Sequence, residues 1–496
     1  MPLTPKAIFE DLRSKDLDKA SAIQLLLTLI ENTENVKSRI ESIEILEKIS
    51  PNDNKTFKFL EHLLISDTDE NVRKLTSRVI KKLFLDKALS PLSWALEHEH
   101  SLSCLITIIS TIAEIDMDKT RSLLINKINK FSKNKNKFNL NGLFNNNNIH
   151  NLSNKELADI LINYYILSSL RFEFGYIKFE VSDNNLITGL DLSNVERYVT
   201  GSSKLEKILE LIFSIKTLKK CDLRFNHLTK LPIVFNKSIE YLDLSYNKLV
   251  KLPNFSKFKA LKILNLKSNR LRNLPESIGS VNSLESLNLR NNILVKLPSS
   301  IGSLDSLESL DLHGNKFNSI DIILNNALRE LELGWNNFEK IPESIKFLSL
   351  LEKFGIGGNK IFELPEWIGN FQTLRELDLY NNNLHQIPNS IGSLVSLEKL
   401  NLRNNHLNEL PYSMSKLESL KSLNLSWNSF TDLPDWIGNL SSLEELNLWG
   451  NKLKSLPNSI VSLSSLKILD LNFNKFEKIP TLFKELERKN GLIIKF

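Results

Sequence analysis

Residues 284–298 read LESLNLRNNILVKLP, and this arrangement recurs along the C-terminal two-thirds of the chain. The shared template is Leu-x-x-Leu-x-Leu-x-x-Asn-x-Leu-x-x-Leu-Pro, which occurs twelve times with steps of 21 to 23 residues. The template asparagines are Asn226, Asn247, Asn269, Asn292, Asn315, Asn336, Asn359, Asn382, Asn405, Asn428, Asn451 and Asn474. A fixed period of this length indicates a solenoid in which each copy forms one coil. We number the coils one to twelve by these asparagines.

The pattern within a copy predicts the local structure. The two leucines of Leu-x-Leu face one side of a short strand, and the residues between and after them face the other side. Successive strands then pair in parallel and present a shared concave face. The asparagine both donates and accepts, so it can satisfy backbone groups between coils. The proline begins the returning convex segment, and we expect the glycine of the following Ile-Gly motif to make a left-handed turn.

The repeat resembles the intracellular leucine-rich repeat family of the 23-residue type, found in Ras-group scaffolds and plant disease-resistance-like proteins. The resemblance covers about Asp183–Phe496 and includes a degenerate coil at Leu190–Leu192, where Val195 replaces the asparagine. It implies an α/β leucine-rich repeat horseshoe with a parallel concave sheet. It also implies protein partners, with small GTPases, phosphatases or kinases as candidates, although this fold hosts many unrelated binding functions.

A second repeat occurs near the N-terminus. Glu34–Ile40, ENVKSRI, recurs 36 residues later as Glu70–Leu75, ENVRKL. Apolar spacing near 3.6 predicts that both segments open helices. Further helices are expected at about 17–31, 55–65, 89–98 and 102–115. Paired helices at this period resemble HEAT-type or armadillo-like α-solenoid repeats, and an irregular helical bundle is the alternative.

The sequence predicts five parts. They are a HEAT-like helical repeat domain (1–131), an Asn-rich flexible linker (132–154), a capping region with the degenerate first coil (155–217), twelve leucine-rich repeats (218–480) and a C-terminal cap (481–496). The linker is predicted from ten asparagines among the 21 residues of 134–154. In the capping region, Leu157–Leu170 is expected to be helical and Phe172–Val181 a strand. In the C-terminal cap, we expect a short helix at Thr481–Arg488, a last strand at Leu492–Ile494 and no further domain.

Composition excludes several classes of protein. Hydrophobic residues make up 41% and charged residues 25%, with a net charge of +6, which is ordinary for a globular chain. The two cysteines, Cys104 and Cys221, exclude a disulfide framework and a four-cysteine zinc site, and both fall on apolar patterns that predict burial. The N-terminus lacks the apolar core of a signal peptide. The longest apolar stretch, about 102–115, is shorter than the ~20 residues of a membrane span. We therefore expect a soluble cytoplasmic protein without a transmembrane segment.

The search for catalytic motifs leads to the prediction that the protein is not an enzyme. The sequence contains no Gly-x-x-x-x-Gly-Lys-Ser/Thr phosphate loop, no Gly-x-Ser-x-Gly elbow and no His-Glu-x-x-His motif. His98 and His100 are two residues apart, on different faces of a helix, which favours surface histidines over a zinc site. We expect no catalytic residues, no metal and no cofactor.

One segment has an unusual charge. Residues 119–137 contain seven cations and no acid: Lys119, Arg121, Lys127, Lys130, Lys133, Lys135 and Lys137. Such a run could meet an anionic surface, an acidic partner or nucleic acid. A solvated helix end that continues into a linker is the alternative interpretation.

The candidate partner-binding residues are aromatic, cationic or glycine residues at outward positions of the predicted sheet. They are Arg290, His313, Trp335, Gly355, Gly357, Tyr380, Arg403, Trp427 and Trp449. Exposed aromatic residues and arginines are typical of binding hot spots. Aromatic residues directly before the asparagine, such as Trp335 and Trp427, have a packing role as an equal alternative. Polar residues between the strand leucines are common in this family and are given little weight.

Coil seven, Phe354–Asn359, contains three glycines. Gly355 and Gly357, extended by Gly334, therefore predict a bare trough that receives a loop or side chain of a partner. A local packing irregularity is the alternative, because coil five has lost its proline. In the trough hypothesis, Gly357→Arg would abolish binding and leave the fold nearly intact.

These patterns predict a non-enzymatic intracellular scaffold or adaptor that holds a protein on its concave face, by resemblance in small-GTPase or phosphatase/kinase signalling. The alternative is a ligand- or peptide-sensing recognition protein of the defence-receptor type. That class usually adds a nucleotide switch or kinase domain, and neither motif occurs here. The third prediction is weak binding of nucleic acid or anionic surfaces through 119–137, with nucleic acid the least favoured partner.

Overall fold

The computed structural model describes residues 4–116, 118–133, 149–184, 186–196, 203–233, 236–477 and 491–496. The chain forms two compact units, Met1–Leu190 and Asp191–Phe496. The first unit is mainly helical and the second is a series of coils with parallel strands, as the sequence predicts. Most of the Asn-rich segment and the predicted helix at Thr481–Arg488 lie outside the described residues.

Most helices of the first unit begin at polar capping residues, and the helix that follows Phe84 without a side-chain cap is an exception. The helices are α1 (Pro5–Ser14), α2 (Lys19–Asn32), α3 (Val36–Ile49), α4 (Asn54–Ser66), α5 (Glu70–Leu83), α6 (Leu85–His98), α7 (Leu102–Ala113), α8 (Asp118–Lys133) and α9 (Asn154–Phe174). At the start of α2, for example, the carboxylate of Asp18 accepts hydrogen bonds from the backbone N–H groups of Ala20 and Ser21. Helices α3, α5, α7 and α9 pack in succession, and α4 and α6 pack beside them. The result is a two-layered stack of helices.

The N-terminal repeat has a different register from the one that sequence similarity suggests. Asn35 caps α3 and Asp69 caps α5, so the two helices correspond at an offset of 34 residues instead of 36. Arg39 and Arg73 obey the same offset, and each donates to a backbone carbonyl in the turn before its helix. The sequence match aligned the ENV motifs, but the capping residue and the arginine determine where each helix lies.

The predicted capping region is divided between the units. Helix α9 extends to Phe174, so the expected strand is shorter, β1 (Lys178–Val181), and is followed by β2 (Ile187–Asp191). In the second unit, α10 (Leu205–Phe213) precedes the first coil. The backbone N–H of Leu192 donates to the carbonyl of Asp222, so the degenerate coil extends the ladder of coil one.

Each of the twelve coils in the second unit contains one three-residue strand, and a last strand follows them. The strands are β3 (Lys220–Asp222), β4 (Tyr241–Asp243), β5 (Ile263–Asn265), β6 (Ser286–Asn288), β7 (Ser309–Asp311), β8 (Glu330–Glu332), β9 (Lys353–Gly355), β10 (Glu376–Asp378), β11 (Lys399–Asn401), β12 (Ser422–Asn424), β13 (Glu445–Asn447), β14 (Ile468–Asp470) and β15 (Ile493–Lys495). Neighbours in chain order pair in parallel, with the central leucines in register, as at Leu400 and Leu423. The predicted last strand begins one residue later than expected, at Ile493.

The asparagines connect adjacent coils as predicted. Asn405 is buried, and its side-chain NH2 donates to the carbonyls of Leu379 at 3.0 Å and Leu402 at 3.1 Å. Its side-chain oxygen accepts from the N–H of Leu384 at 3.0 Å. The amide therefore satisfies backbone groups of coils eight and nine at once.

The convex side is built from short 3-10 helices that begin after the proline. They are Glu276–Ser280, Ser299–Ser303, Glu343–Phe347, Glu366–Asn370, Asn389–Ser393, Tyr412–Lys416, Asp435–Asn439 and Asn458–Ser462. Coil five, where Ile320-Asp321 stands in place of Leu-Pro, has no such helix among its described residues. Trp367 and Trp436 lie on these helices, and the indole N–H of Trp367 donates to Glu343 at 2.9 Å.

The glycine of the convex Ile-Gly motif has a different role from the predicted one. Gly392 does not have the positive φ of a left-handed turn. A Cβ placed on Gly392 would lie 2.3 Å from the carbonyl oxygen of Ser413 in the next coil. Glycine is therefore required because adjacent coils approach closely at this position.

Candidate functional site

The residue before each template asparagine has left-handed backbone in all twelve coils, with φ between 51° and 71°. Glycine adopts this conformation freely and asparagine tolerates it, whereas other residues pay roughly 1–2 kcal/mol. Glycine or asparagine occupies the position in six coils and serine in one. Aromatic residues occupy the other five: Phe225, Tyr246, Trp335, Trp427 and Phe473.

These five aromatic residues are also exposed. Their accessible fractions range from 41% for Tyr246 to 78% for Phe473. A bulky residue at positive φ is a conformational outlier. The side chains are only partly buried, and the rings of Trp335 and Trp427 pack against Gly358 and Gly450 of the next coil. We call these five side chains the aromatic column.

Contacts along the concave face divide the aromatic residues into three groups. Phe225 and Tyr246 stack with ring centres 4.3 Å apart. In the middle of the sheet, the indole N–H of Trp335 donates to the hydroxyl of Tyr380. Towards the C-terminus, Trp449 lies between Trp427 and Phe473, at ring-centre distances of 5.0 Å and 5.8 Å. The Arg403 guanidinium lies 5.8 Å from the centre of the Trp449 ring.

Neighbouring side chains cover the glycines that were predicted to form a bare trough. The ring of Tyr380 lies over Gly357, and the carboxylate of Glu332 lies over Gly355. Both glycines are buried. Similarly, the imidazole of His313 lies against Gly334. The glycines therefore make room for side chains of this chain, and the expectation that the strip is bare was wrong.

The same contacts change the expected effect of Gly357→Arg. A Cβ at Gly357 would lie 2.2 Å from Cδ1 of Tyr380 and 2.9 Å from the Tyr380 carbonyl oxygen. The substitution would displace Tyr380 and disturb the contact with Trp335. A loss of binding by this variant would consequently not distinguish a filled trough from a displaced ring.

The centre of the concave face contains a charged depression of about 470 Å³. Its lining includes the predicted residues Arg290, His313, Gly355, Gly357 and Tyr380. It also includes five charged residues that were not predicted from the sequence: Asp311, Glu330, Glu332, Lys353 and Asp378. Asp311, Glu332 and Asp378 occupy the position between the strand leucines that was given little weight. Glu330 and Lys353 are the first residues of their strands. The three carboxylates between the strand leucines are distinguished by their partial burial in the folded chain.

Burial determines the electrostatics of this depression. It raises the pKa of the carboxyl groups of Asp311, Glu332 and Asp378. Burial and the cations Arg290 and Lys267 lower the pKa of His313 to about 4, so this imidazole is neutral at physiological pH. The ammonium of Lys353 lies 3.3 Å from the Glu332 carboxylate. The depression therefore presents mixed charges that are partly paired.

The predicted site residues do not form one cluster. Arg290, His313 and Tyr380 lie around the central depression, with Trp335 beside them, whereas Arg403, Trp427 and Trp449 form a separate group with Phe473. The outward positions predicted from the sequence could not be divided into these two groups, because the division depends on which side chains are in contact in the folded chain.

Three of the seven cations in the basic stretch make intramolecular contacts. Lys127 is buried, with its ammonium 2.7 Å from the Glu97 carboxylate, and Lys130 lies 3.6 Å from the same carboxylate. The Arg121 guanidinium donates to the carbonyls of His150 and Leu152. Lys119 is exposed. The side chain of Lys133 and all of Lys135 and Lys137 lie outside the described residues. Lys127 is therefore unavailable to an anionic surface, contrary to the prediction.

No group of three or more His, Cys, Asp or Glu side chains in the described part of the chain is placed to hold a metal ion. Both cysteines are free and buried. Across the described ranges, no helix combines the length and the apolar character needed to cross a bilayer.

Comparisons with known proteins identify the repeats. A model described as leucine rich repeat matches residues 259–317, and one described as leucine-rich repeat region matches 366–478. The chain therefore contains leucine-rich repeat regions. No curated protein matches the chain.

Among solved structures, an internalin of Listeria monocytogenes matches with a TM-score of 0.53 and 21% identity, over 62% of this chain and 86% of the internalin. This likeness shows the fold alone. A leucine-rich repeat protein of Leptospira interrogans matches at 28% identity and TM-score 0.44, over 62% of this chain and 95% of the other. The ectodomain of a membrane receptor kinase of Arabidopsis thaliana, in complex with CASPARIAN STRIP INTEGRITY FACTOR 2, matches at 29% identity and TM-score 0.40, over 58% and 42%.

Proposed function

We propose that the protein is a non-enzymatic scaffold or adaptor that binds a protein partner on its concave face. The observation that supports this most strongly is the aromatic column, in which five large side chains are exposed on left-handed backbone. Strained backbone at large side chains that remain 41% to 78% exposed supports a function for them. Aromatic residues with nearby arginines, such as Trp449 with Arg403, are the residues that dominate protein interfaces.

The finer proposal keeps the partner class and compartment that the resemblance implies. The partner is a small GTPase, phosphatase or kinase of cytoplasmic signalling, bound by repeats of the 23-residue intracellular type that follow a HEAT-like helical domain. Two buried free cysteines support a reducing compartment. The intramolecular pairing of Lys127 and Arg121 favours a structural role for the basic stretch.

The test is affinity capture with a variant of the concave face. In Trp335→Asn/Trp427→Asn/Phe473→Asn, each aromatic residue of three coils is replaced by a residue that tolerates the same backbone. Tyr412→Ser is the matched control, because Tyr412 is a 70% exposed aromatic residue on a convex 3-10 helix. We expect the wild type and the control to retain the same proteins from native lysate, and the triple variant to lose them.

Nucleotide state distinguishes the partner classes. A small GTPase should be retained differently in the presence of GDP and of a non-hydrolysable GTP analogue, whereas a phosphatase or kinase need not be. If the triple variant retains the same proteins as the wild type, the concave face is not the binding surface and the proposal is wrong.

A further inference from the structure

We propose that the loops at the carboxyl ends of the strands in coils two to five bind an acidic segment of a partner protein, in which apolar residues are interspersed with the acids. This inference rests on the proposed function, because it takes the partner to be a protein, and it adds a contact surface outside the aromatic column. The surface is called the basic edge. It consists of six exposed cations in the loops that follow β4 to β7: Lys248, Lys251, Arg270, Arg272, Lys296 and Lys316.

The charge at the carboxyl ends of these strands has one sign. From the second strand leucine to the proline position, coils two to five contain eight cations and one acid, in residues 244–253, 266–275, 289–298 and 312–321. Coils six to nine contain three cations and three acids at the same positions, in residues 333–342, 356–365, 379–388 and 402–411. The repeat template therefore does not require the excess of positive charge, which is confined to a group of adjacent coils.

The cations of the basic edge are not paired within the described part of the chain. None of the six side chains makes an ion pair or a hydrogen bond there. At the opposite ends of the strands, by contrast, cations pair with acids of the next coil. The ammonium of Lys262 lies 2.9 Å from the Glu285 carboxylate, and that of Lys219 lies 3.0 Å from the Glu240 carboxylate. Uncompensated like charges destabilise a compact state by repulsion, so the basic edge favours an external anion.

The backbone holds these cations in a row. The N–H of Arg270 donates to the carbonyl of Leu249 at 2.9 Å, so the loop of coil three lies directly on that of coil two. Arg270 and Arg272 flank the fully buried Leu271, and both are exposed because they point to the side away from it. Two adjacent guanidinium groups offer the paired N–H donors that carboxylates accept. Since adjacent coils lie ~4.8 Å apart, the row is ~15 Å long.

Apolar side chains lie among the cations. Val250 is 42% exposed and Val295 is 52% exposed, and each directly precedes a lysine of the basic edge, Lys251 and Lys296. Valine is much shorter than lysine or arginine, so the two apolar side chains lie below the charged groups that surround them. Apolar side chains of a peptide can reach them between the cations.

The two valines favour a polypeptide over the other common polyanions. A flat lipid surface would contact the charged groups and leave the shorter valines uncovered. Single-stranded nucleic acid presents phosphates to cations and stacks its bases on aromatic rings, whereas the basic edge and the two valines provide only aliphatic surface. A segment with both carboxylates and apolar side chains matches both components.

The test measures binding of labelled octapeptides to the full-length protein by fluorescence anisotropy. The probes are Glu-Leu, Glu-Ser and Lys-Leu repeats, whose extended length of ~26 Å exceeds that of the row. Labelled octauridylate and phosphatidylserine vesicles represent the other polyanions. We expect the Glu-Leu peptide to bind most tightly and to lose affinity at high salt. The Glu-Ser peptide should bind about fivefold more weakly, because it lacks apolar side chains, and the Lys-Leu peptide should not bind.

A matched pair of double variants locates the charged part of the site. Arg270→Gln/Arg272→Gln should weaken binding of the Glu-Leu peptide by about tenfold or more, because it removes both guanidinium groups. Lys452→Gln/Lys454→Gln is the control, since these exposed lysines occupy the same two positions in coil eleven. It removes the same amount of charge and should change the affinity by less than about twofold.

A third variant tests the apolar part. Val250→Thr/Val295→Thr keeps the branched shape and the charge of the surface, and it should reduce the affinity for the Glu-Leu peptide to about that for the Glu-Ser peptide. Both valines are exposed, so the protein should remain folded, which circular dichroism checks for each variant.

Absence of binding by the Glu-Leu peptide would overturn the inference, as would wild-type affinity in a folded Arg270→Gln/Arg272→Gln protein. Equal affinity for the Glu-Ser peptide, or tighter binding of octauridylate or of the vesicles, would overturn it as well, because the basic edge would then not select an acidic and apolar segment.

The triple variant Trp335→Asn/Trp427→Asn/Phe473→Asn leaves the basic edge intact and should bind the Glu-Leu peptide as the wild type does. Loss of the peptide by this variant would place the peptide on the concave face and contradict the inference. Failure of the peptides to bind and failure of the capture experiment are therefore distinguishable, because each depends on a different set of residues.

Discussion

At the left-handed position before each template asparagine, the backbone conformation gives information about the side chains that the sequence does not. In the sequence, Trp335 and Trp427 are two aromatic residues among many in an outward column. From the sequence alone, a packing role and a binding role are equally supported for these two tryptophans, because other coils have serine, asparagine or glycine at the same position. Only the φ angles of 52° and 54° show that each tryptophan sits where glycine would be easier to accommodate. The sequence pattern does not show this conformational cost. It therefore identified the two tryptophans as candidates but did not rank them above the other outward residues.

The asparagine column could be interpreted fully, because its chemistry needs only one polar group in an apolar series. Asn405→Ala should lower the free energy of unfolding by ~1–3 kcal/mol, since it leaves buried backbone groups of two coils without a partner. Leu402→Ala, fully buried, should cost ~2–5 kcal/mol. Arg403→Ala, between them and exposed, is the matched control with little effect. Urea unfolding checks all three, and a larger loss for Arg403→Ala than for the others would contradict the assignment of inner and outer faces.

Among the elements, the returning convex segments were predicted in position, but the contacts between adjacent convex segments were not predicted. Gly392 and Ser415 are equivalent in successive coils, yet a Cβ at Gly392 would meet a carbonyl oxygen at 2.3 Å. Spacing in one coil cannot show how near the next coil comes, which is why the glycine was interpreted as a turn residue.

This close approach leads to a paired prediction. Gly392→Ala should lower the free energy of unfolding by ~1–3 kcal/mol, because the methyl group forces adjacent coils apart. Ser415→Ala, at the same position in the next coil, should change it by less than ~0.5 kcal/mol. Chemical denaturation of both variants is the measurement. Equal stability of the two proteins would show that the coils relax without cost.

In the helical unit, Arg73 and Glu99 form a bidentate pair at 2.8 Å and 2.9 Å, with 15% and 5% of their side chains exposed. Burial alone would raise the pKa of Glu99, but the hydrogen bonds from Arg73 and from the N–H of Ser101 outweigh it and lower the pKa to about 2, from an ordinary 4.5. A carboxyl group with a depressed pKa in the folded state stabilises it at pH above the unfolded value. This contribution is lost as the pH falls from 4.5 towards about 2.

Glu99→Gln should therefore lower the free energy of unfolding at neutral pH by ~2–4 kcal/mol and flatten its decline in acid. Glu47→Gln is the control, because its partner Lys82 is 61% exposed and such pairs contribute at most ~1 kcal/mol. Denaturation followed by circular dichroism across this pH range measures both. An acid decline as steep in Glu99→Gln as in the wild type would refute the role assigned to the pair.

For the chain as a whole, the structure was predicted more accurately from the sequence where more copies of the repeat are present. Twelve copies in register fix strand positions, the buried leucines and the coil-to-coil asparagine bonds, because each copy must satisfy the same neighbours. Two helical copies give far less redundancy, and the offset was wrong by two residues. The binding surface was predicted only as a face. Its division into a central depression and a separate group of Trp427, Trp449 and Phe473 depends on contacts between coils.

The proposal that the aromatic column serves binding makes a prediction about stability that needs no partner. Trp335→Asn/Trp427→Asn/Phe473→Asn should leave the free energy of unfolding unchanged or raise it by up to ~3 kcal/mol. Relief of ~1–2 kcal/mol of strain per residue should exceed the ~0.5–1.5 kcal/mol of each exposed ring contact that is lost. Phe430→Ala, a fully buried aromatic residue, should lose ~3–5 kcal/mol and shows that the assay detects packing.

The deciding measurement is the urea unfolding free energy of this triple variant beside the wild type. A value equal to or above that of the wild type, in a protein that no longer retains the captured partner, is the predicted result. A loss of more than ~2 kcal/mol would show that the aromatic rings hold the coils together, as a buried group does, and would contradict the binding role proposed for the concave face.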